Sequence, residues 1–346
     1  MPESLRHTAV FLLLTVLFAG CSLVDEDLSD CQNSLGLDYQ LRLETNITTE
    51  LQTQLGLVSQ LEIQGVLKDH LSGIFSDYAR DVDLSFYDVV DPMERLTHMT
   101  EVMNGSESSY ALFLPVRSYM HTAVANIQAN TSVSLQGDDY YHQGRLVQHS
   151  GTDGVVQPHN TGLFTARQHL DVKAGVDQQF DVHLYMANCA TALVLNRSEA
   201  PSVQSIKVYV EGMATGFQIA DSTYVFEGNP MVASQELKTE DEMTSCFASI
   251  HFPSRDEPES KVVIEVTDPE PEYFSNTVWN WKVYVTNQDG SITESVLHMH
   301  QRLPAGFLKV LNATVRESGE VETTDSTVGV SVTLDWTPGL DFPVTI

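Results

Sequence analysis

Apolar residues recur at two spacings along this chain, and a spacing of two dominates. Leu35, Leu37, Tyr39, Leu41 and Leu43 alternate with polar or small residues, as in a strand with one buried face. Val82, Leu84 and Phe86 repeat the pattern, and residues 110–115 form another strand. Residues 119–126 contain alanines that permit helix, but strands on both sides favour strand here too. Val66, Leu67, His70, Leu71, Ile74 and Phe75 instead fall on one side at helical spacing, which predicts a short amphipathic helix. Polar, Gly-containing sequence over residues 136–162 reads as exposed loop, and the apolar pattern resumes at 163–166 and 180–195. A second polar break at residues 173–177 marks a domain boundary.

In the second half, strands are expected at residues 205–210, 224–226, 246–252, 261–266, 278–285 and 291–299. The last two are joined by Asn287, Gln288, Asp289 and Gly290, where glycine tolerates the positive φ of a reversal. Many short strands with turn signals and few short helices predict an all-β chain of β-sandwiches. The last stretch alternates most strictly. Val328, Val330, Val332, Leu334 and Trp336 precede a break at Thr337, Pro338 and Gly339, and Leu340, Phe342, Val344 and Ile346 resume the series. Chain ends are usually polar, so this segment calls for a sheet edge or groove. It is a donor-strand candidate for a partner subunit, or the closing strand of its own sandwich. Pro343 lacks an N–H and suits an edge position.

Length and charge narrow the functional classes. The chain has 346 residues with 42% hydrophobic content, enough for two domains with real cores. A formal net charge of −29, from 18 Lys+Arg against 47 Asp+Glu, repels phosphate backbones and excludes nucleic-acid binding.

Residues 1–20 read as a leader. Arg6 supplies a positive charge, residues 9–18 are apolar except Thr15, and Phe18, Ala19 and Gly20 precede Cys21. The run is too short to cross a bilayer of ~30 Å at ~1.5 Å per residue. Small residues before a cysteine resemble a lipobox, which makes Cys21 the expected lipidation site and attaches the mature chain to outer-membrane lipid. Asp25, Glu26 and Asp27 then form an acidic cluster resembling a surface-export signal. With Cys21 acylated, Cys31, Cys189 and Cys246 remain, enough for one disulfide at most.

Catalytic constellations are absent from the sequence: no G-x-S-x-G, P-loop or H-E-x-x-H occurs. His298 and His300 share a strand face but lack a third ligand. Asp81 and Asp83 lack a partner acid or base. Trp279 and Trp281 share a face suited to sugar stacking or, more commonly, to core packing. The expectation is a protein without catalytic residues, cofactor or metal.

Longer blocks carry a family resemblance. CSLVDEDLSDC (21–31), RDVDLSFYD (80–88), LPVRSYMHTAVAN (114–126), HNTGLFTAR (159–167), LYMANCATALVL (184–195) and YVEGMATGFQIADSTYVF (209–226) resemble the FimB/Mfa family of fimbrial anchor lipoproteins of type V pili. The resemblance implies two tandem transthyretin-like β-sandwich domains, here residues 35–175 and 176–346 after a tether at 21–34. It implies a surface-exposed, lipid-anchored protein that holds a fimbrial shaft subunit by β-strand addition. In such pili an Arg-directed protease removes the first strand of stalk subunits, whereas an anchor keeps it. No Lys or Arg occurs from Cys21 through Gln40, and Arg42 is expected inside the first strand. Cys31 and Cys189 lie in family-like blocks and are the favoured disulfide pair, ahead of Cys189 with Cys246. The competing function is a surface ligand- or glycan-binding lipoprotein, including an adhesive fimbrial tip subunit.

Overall fold

The structure is a computed structural model and describes residues 33–41, 61–74, 79–102, 109–151, 154–258, 276–325 and 327–333. Cys21, Cys31, the strand expected at 261–266 and residues 334–346 lie outside the described residues. Strands dominate as the alternation predicts, and elements are numbered in chain order.

The first half builds a seven-stranded sheet, ordered β3-β2-β5-β9-β10-β1-β4. Its members are β1 (Asn33–Leu41), β2 (Asp81–Asp88), β3 (Arg95–Val102), β4 (Ser109–Leu114), β5 (Ser118–Ala125), β9 (Phe164–Asp171) and β10 (Gln178–Met186). The sheet folds over a core that includes Val82, Leu84, Phe86, Leu112, Leu114, Phe164, Val182 and Leu184. Only two register pairs, Tyr185↔Thr165 and Met186↔Phe164, join β10 to β9. The sheet turns its corner there, so β4, β1 and β10 form one layer and β3, β2, β5 and β9 the other.

The second half is a sandwich of two sheets. One runs β16-β17-β11-β20-β21, from β11 (Cys189–Asn196), β16 (Gln235–Leu237), β17 (Thr244–His251), β20 (Leu308–Val315) and β21 (Val321–Glu322). The other runs β22-β19-β18-β12-β15-β8, from β8 (Val155–Val156), β12 (Ser205–Glu211), β15 (Met231–Ala233), β18 (Trp279–Thr286), β19 (Ile292–Met299) and β22 (Val328–Thr333). Leu193, Leu195, Val210, Val283, Leu297 and both tryptophans fill the space between. The expected β18–β19 reversal is present, with Gly290 at φ 84° and Asn287 N–H donating to Ser291 O at 2.8 Å.

The single helix among the described residues, α1 (Leu61–Ile74), begins five residues before the expected start. It lies on the second half rather than the first. Ile63, Leu67 and Leu71 are fully buried against Ala190, Ala192, Cys246 and Ala248 on the outer face of β11 and β17. With one face on the sandwich core and the other under the helix, every side chain of β17 is buried, and every one of β11 except Asn196. Fully covered strands read as continuous apolar runs rather than alternation. Alanines on the helix side let backbone and helix approach closely.

A four-stranded sheet, β14-β13-β7-β6, joins the halves. It combines β6 (Val133–Gln136) and β7 (Arg145–Gln148) with β13 (Gly216–Gln218) and β14 (Thr223–Val225). Leu146, Phe217 and Phe252 pack with Val124 of β5, and Tyr87 meets Tyr141 edge-on at 5.6 Å. Two expectations are corrected here. Residues 136–162 hold β7, β8 and a buried polar cluster rather than an exposed loop, because the junction sheet covers them. The polar break at 173–177 is the turn between β9 and β10, and β10 still pairs in the first sheet; the chain crosses to the second half at Ala187 and Asn188.

The helix–sheet contact leaves little room for larger side chains. Ala192→Leu should lower the unfolding free energy by about 1–3 kcal/mol, read from urea denaturation; an unchanged midpoint would mean that the helix does not pack closely on β11.

Candidate functional site

The seat of the first strand is the feature with functional content. β1 runs parallel to β10 from Leu35↔Gln178 to Leu41↔Leu184. Its other edge pairs antiparallel with β4 from Asn33↔Leu114 to Asp38↔Ser109. Alternation in the flanking strands shapes the seat. Leu112 and Leu114 of β4, and Val182 and Leu184 of β10, face the core, while Phe113 and Tyr185 face outward. Without β1, β10 and β4 would each present a row of unpaired N–H and C=O groups beside an apolar floor. β1 is described through Leu41, and Arg42, expected within the strand, lies outside the described residues.

The C-terminal candidates divide. β22 pairs antiparallel with β19, from Val328↔Met299 to Thr333↔Glu294. Val328 is buried in the sandwich core and Val330 packs against it, while Val332 is 37% exposed. Val328, Val330 and Val332 therefore belong to a closing strand of their own sandwich, a correction to their reading as donor residues. The apolar core between the sheets draws their alternating face inward. Leu334, Trp336, Leu340, Phe342, Val344 and Ile346 lie outside the described residues.

Among the described residues, cysteine geometry separates Cys189 from Cys246. Cys189 is a free, fully buried thiol, and so is Cys246. Cys189 Sγ lies 3.4 Å from His251 Nδ1, inside the second core; Cys31, its expected partner, lies outside the described residues. Cys246 occupies the opposite, helix-covered face of the same sheet. Burial raises the Cys189 pKa and pushes that of Cys246 up to about 12, so both are unreactive thiols.

Other candidate chemistry resolves into packing. Trp279 and Trp281 are 1% exposed and meet edge-on at 4.6 Å. Trp279 Nε1 donates to Gln301 O at 2.9 Å, so neither offers a sugar platform. His298 Nδ1 lies 3.3 Å from Thr277 Oγ1, and His300 Nδ1 lies 3.2 Å from Asn276 O. Asp81 accepts the N–H of Gln128 at 3.1 Å. Asp83, its pKa raised by burial, sits 2.7 Å from His98 Nε2. Asp83, His98 and Asp138 each bring one ligand atom within 4.8 Å of the others. Arg95 pairs with Asp138 and Asp139, however, so each carboxylate already faces a cation or imidazole. The group ties β3 to the turn before β7.

Sequence reasoning missed a buried polar cluster between the halves. His159 Nε2 lies 2.6 Å from Gln148 Oε1, which fixes the proton on that nitrogen. Its Nδ1 faces the Asn188 amide at 3.4 Å, and Asn188 also donates to Thr161 O at 2.9 Å. The His159 backbone N–H donates to Ile250 O at 2.7 Å, linking this segment to β17. The block HNTG at 159–162 was the available signal.

No protein-family model matches the sequence, and no curated protein matches it. Solved structures do. A candidate adhesin from Bacteroides ovatus superimposes with a TM-score of 0.50 at 11% identity, covering 89% of this chain and 97% of that one. The fimbrial anchor protein Mfa2 from Porphyromonas gingivalis gives 0.47 at 9% identity, covering 88% and 98%. A candidate polysaccharide-binding protein from Bacteroides thetaiotaomicron gives 0.48 at 9% identity, covering 86% and 97%. The Bacteroides ovatus match shows that the fold, over nearly the whole chain, is shared with that protein.

The buried imidazoles make acid stability a direct readout of this core. Burial lowers the pKa of His121 and His251 to about 4 and of His159 to about 3, the last assisted by nearby His251. These folded-state values lie below the unfolded one, so the unfolded chain takes up protons first. Their contribution is complete above pH ~6.5 and falls, as pH drops toward 4, by about 1.4 kcal/mol per unit for each histidine. Urea midpoints should therefore decline steeply between pH 6.5 and 5. A flat profile over that interval would show that these histidines titrate normally in the folded protein.

Proposed function

We propose that this chain is the anchor subunit of a cell-surface fimbria, held in the outer membrane by lipid on Cys21 and closing the shaft by strand complementation. One observation carries the reading: β1 fills an interior position of the first sandwich, paired along both edges. A subunit meant to receive a neighbour's strand there must lose its own. This chain has no Lys or Arg between Cys21 and Gln40 for an Arg-directed protease to cut, and its strand stays continuous with the tether. The likeness to the Bacteroides ovatus adhesin supports the same class of surface architecture. The alternative glycan-binding reading loses its tryptophan pair to the core.

In this scheme residues 334–346, which follow β22, extend the alternation of Leu334, Trp336, Leu340, Phe342, Val344 and Ile346 toward the shaft subunit. Backbone pairing supplies the joint and alternate side chains fill the partner's pockets. Burial of each such side chain stabilises by about 1.5–3 kcal/mol, offset in part by ordering the segment at ~1–2 kcal/mol per residue.

Two experiments test the two ends separately. Protein recovered from outer membranes should begin at Cys21 and retain β1, and Cys21→Ser should move it to soluble fractions; a mature chain starting after Arg42 would refute the anchor. Deleting residues 340–346 should leave the protein folded and on the membrane while fimbriae shed into the medium. Fimbriae retained normally by the truncated protein would place the joint elsewhere.

A further inference from the structure

We propose that the end of the first sandwich from which the chain runs back to Cys21 is a membrane-contacting face, whose Val90, Phe113, Val116 and Val176 enter the headgroup region of a zwitterionic bilayer. The inference rests on the lipid anchor proposed above and adds an orientation and a contact surface to it.

Topology gathers these four residues. β1 starts at Asn33 opposite Leu114, the last residue of β4, and β10, parallel to β1, starts at Gln178. Asp88 at the end of β2 pairs with Tyr119, and Ser118 at the start of β5 pairs with Asp171 at the end of β9. The connections 89–94, 115–117 and 172–177 therefore share one end of the sandwich. Side chains and backbone tie them together: Arg117 Nη1 lies 3.0 Å from Asp88 Oδ2, and Val172 N–H donates to Arg117 O at 3.0 Å. Gln178 Nε2 donates to Asp171 O at 3.0 Å.

Exposure sets this end apart. Val90, Phe113 and Val176 are the three most exposed large apolar side chains among the described residues, at 66%, 60% and 53%, and Val116, after Tyr185, is 47% exposed. Single exposed apolar residues are ordinary, but a group at one end marks a contact. The chain itself indicates the occupant. Cys21 precedes Asn33 by 12 residues, a span of at most ~40 Å when fully extended. A lipid on Cys21 would thus tether the chain at this end of β1, within that distance of the bilayer. Charge selects the lipid. Asp88, Asp91, Asp171 and Asp177 outnumber Arg117 and Lys173 at this end, which disfavours anionic headgroups and leaves apolar insertion as the source of contact.

One tryptophan added at a time beside the native three tests the face on the full acylated chain in phosphatidylcholine vesicles whose acyl chains carry bromine. Val116→Trp adds an indole at an exposed turn of the proposed face. Tyr185→Trp adds one at a residue 51% exposed near the other end of β10. Bromine should reduce the emission added at position 116 roughly twofold and leave that at 185 unchanged. Acylated, vesicle-bound protein with equal or no quenching at both positions overturns the inference while leaving the anchor standing. A mature chain whose mass shows no acyl groups overturns the anchor reading and the inference with it. Emission at 116 that responds to protein concentration and not to bromine would make this end an interface between copies, and the membrane assignment would fall.

Discussion

The parallel pairing of β1 with β10 is the contact on which the first half depends. It sets Leu35 opposite Gln178, so the pairing closes a loop of more than a hundred residues. Closing so long a loop is entropically costly before its contacts reward it. The position itself is demanding, because an interior strand must satisfy backbone groups on both edges above an apolar floor. The same features that make the position hard to fill make it hard to leave empty. A strand from the same chain has the highest effective concentration for it.

The N-terminal segment also binds the halves together. Having supplied β1 to the first sandwich, the chain supplies α1 to the outer face of the second. Glu62 accepts the backbone N–H groups of Glu240 and Asp241 at the helix start, and Gly162 N–H donates to Ile74 O at its end. The junction sheet and the His159–Gln148–Asn188 cluster complete the connection. A polar cluster at such a junction requires every partner in place, since an unpaired buried group costs more than a paired one contributes. Its neutral imidazole, that of His159, specifies that geometry and also makes the junction sensitive to acid.

Legibility in the sequence followed burial on one face or two. β2, β18 and β19 show alternation, and their positions agree with it closely, whereas β5, whose alanines permit helix, reads as strand only from its neighbours. β18 and β19 alternate buried and half-buried residues along their whole length. β11 and β17 gave apolar runs without period, because the helix that covers them lies more than a hundred residues away in sequence, and nothing local announces it. The apolar run over residues 180–195 therefore concealed the crossing at Asn188, a residue whose polarity is satisfied only in three dimensions. The junction strands were missed for the complementary reason. β7 and β8 are short and polar-flanked, and become buried only when β13 and β15 arrive from the second half. The alternation of Val328, Val330 and Val332 was visible, but periodicity states only that one face is covered, not by which chain.

Geometry also determines how β1 would carry load. A pull on the chain ahead of Asn33 acts along the strand axis, while its hydrogen bonds to β4 lie across that axis and those to β10 are slanted. Such a force shears both ladders together instead of opening one pair at a time from an end. Peeling would require the force to act sideways, as it does at a free edge strand such as β3. An edge strand of equal length would share the load along one ladder only. An interior strand, flanked on both sides, is therefore the position from which a small sandwich resists extraction best.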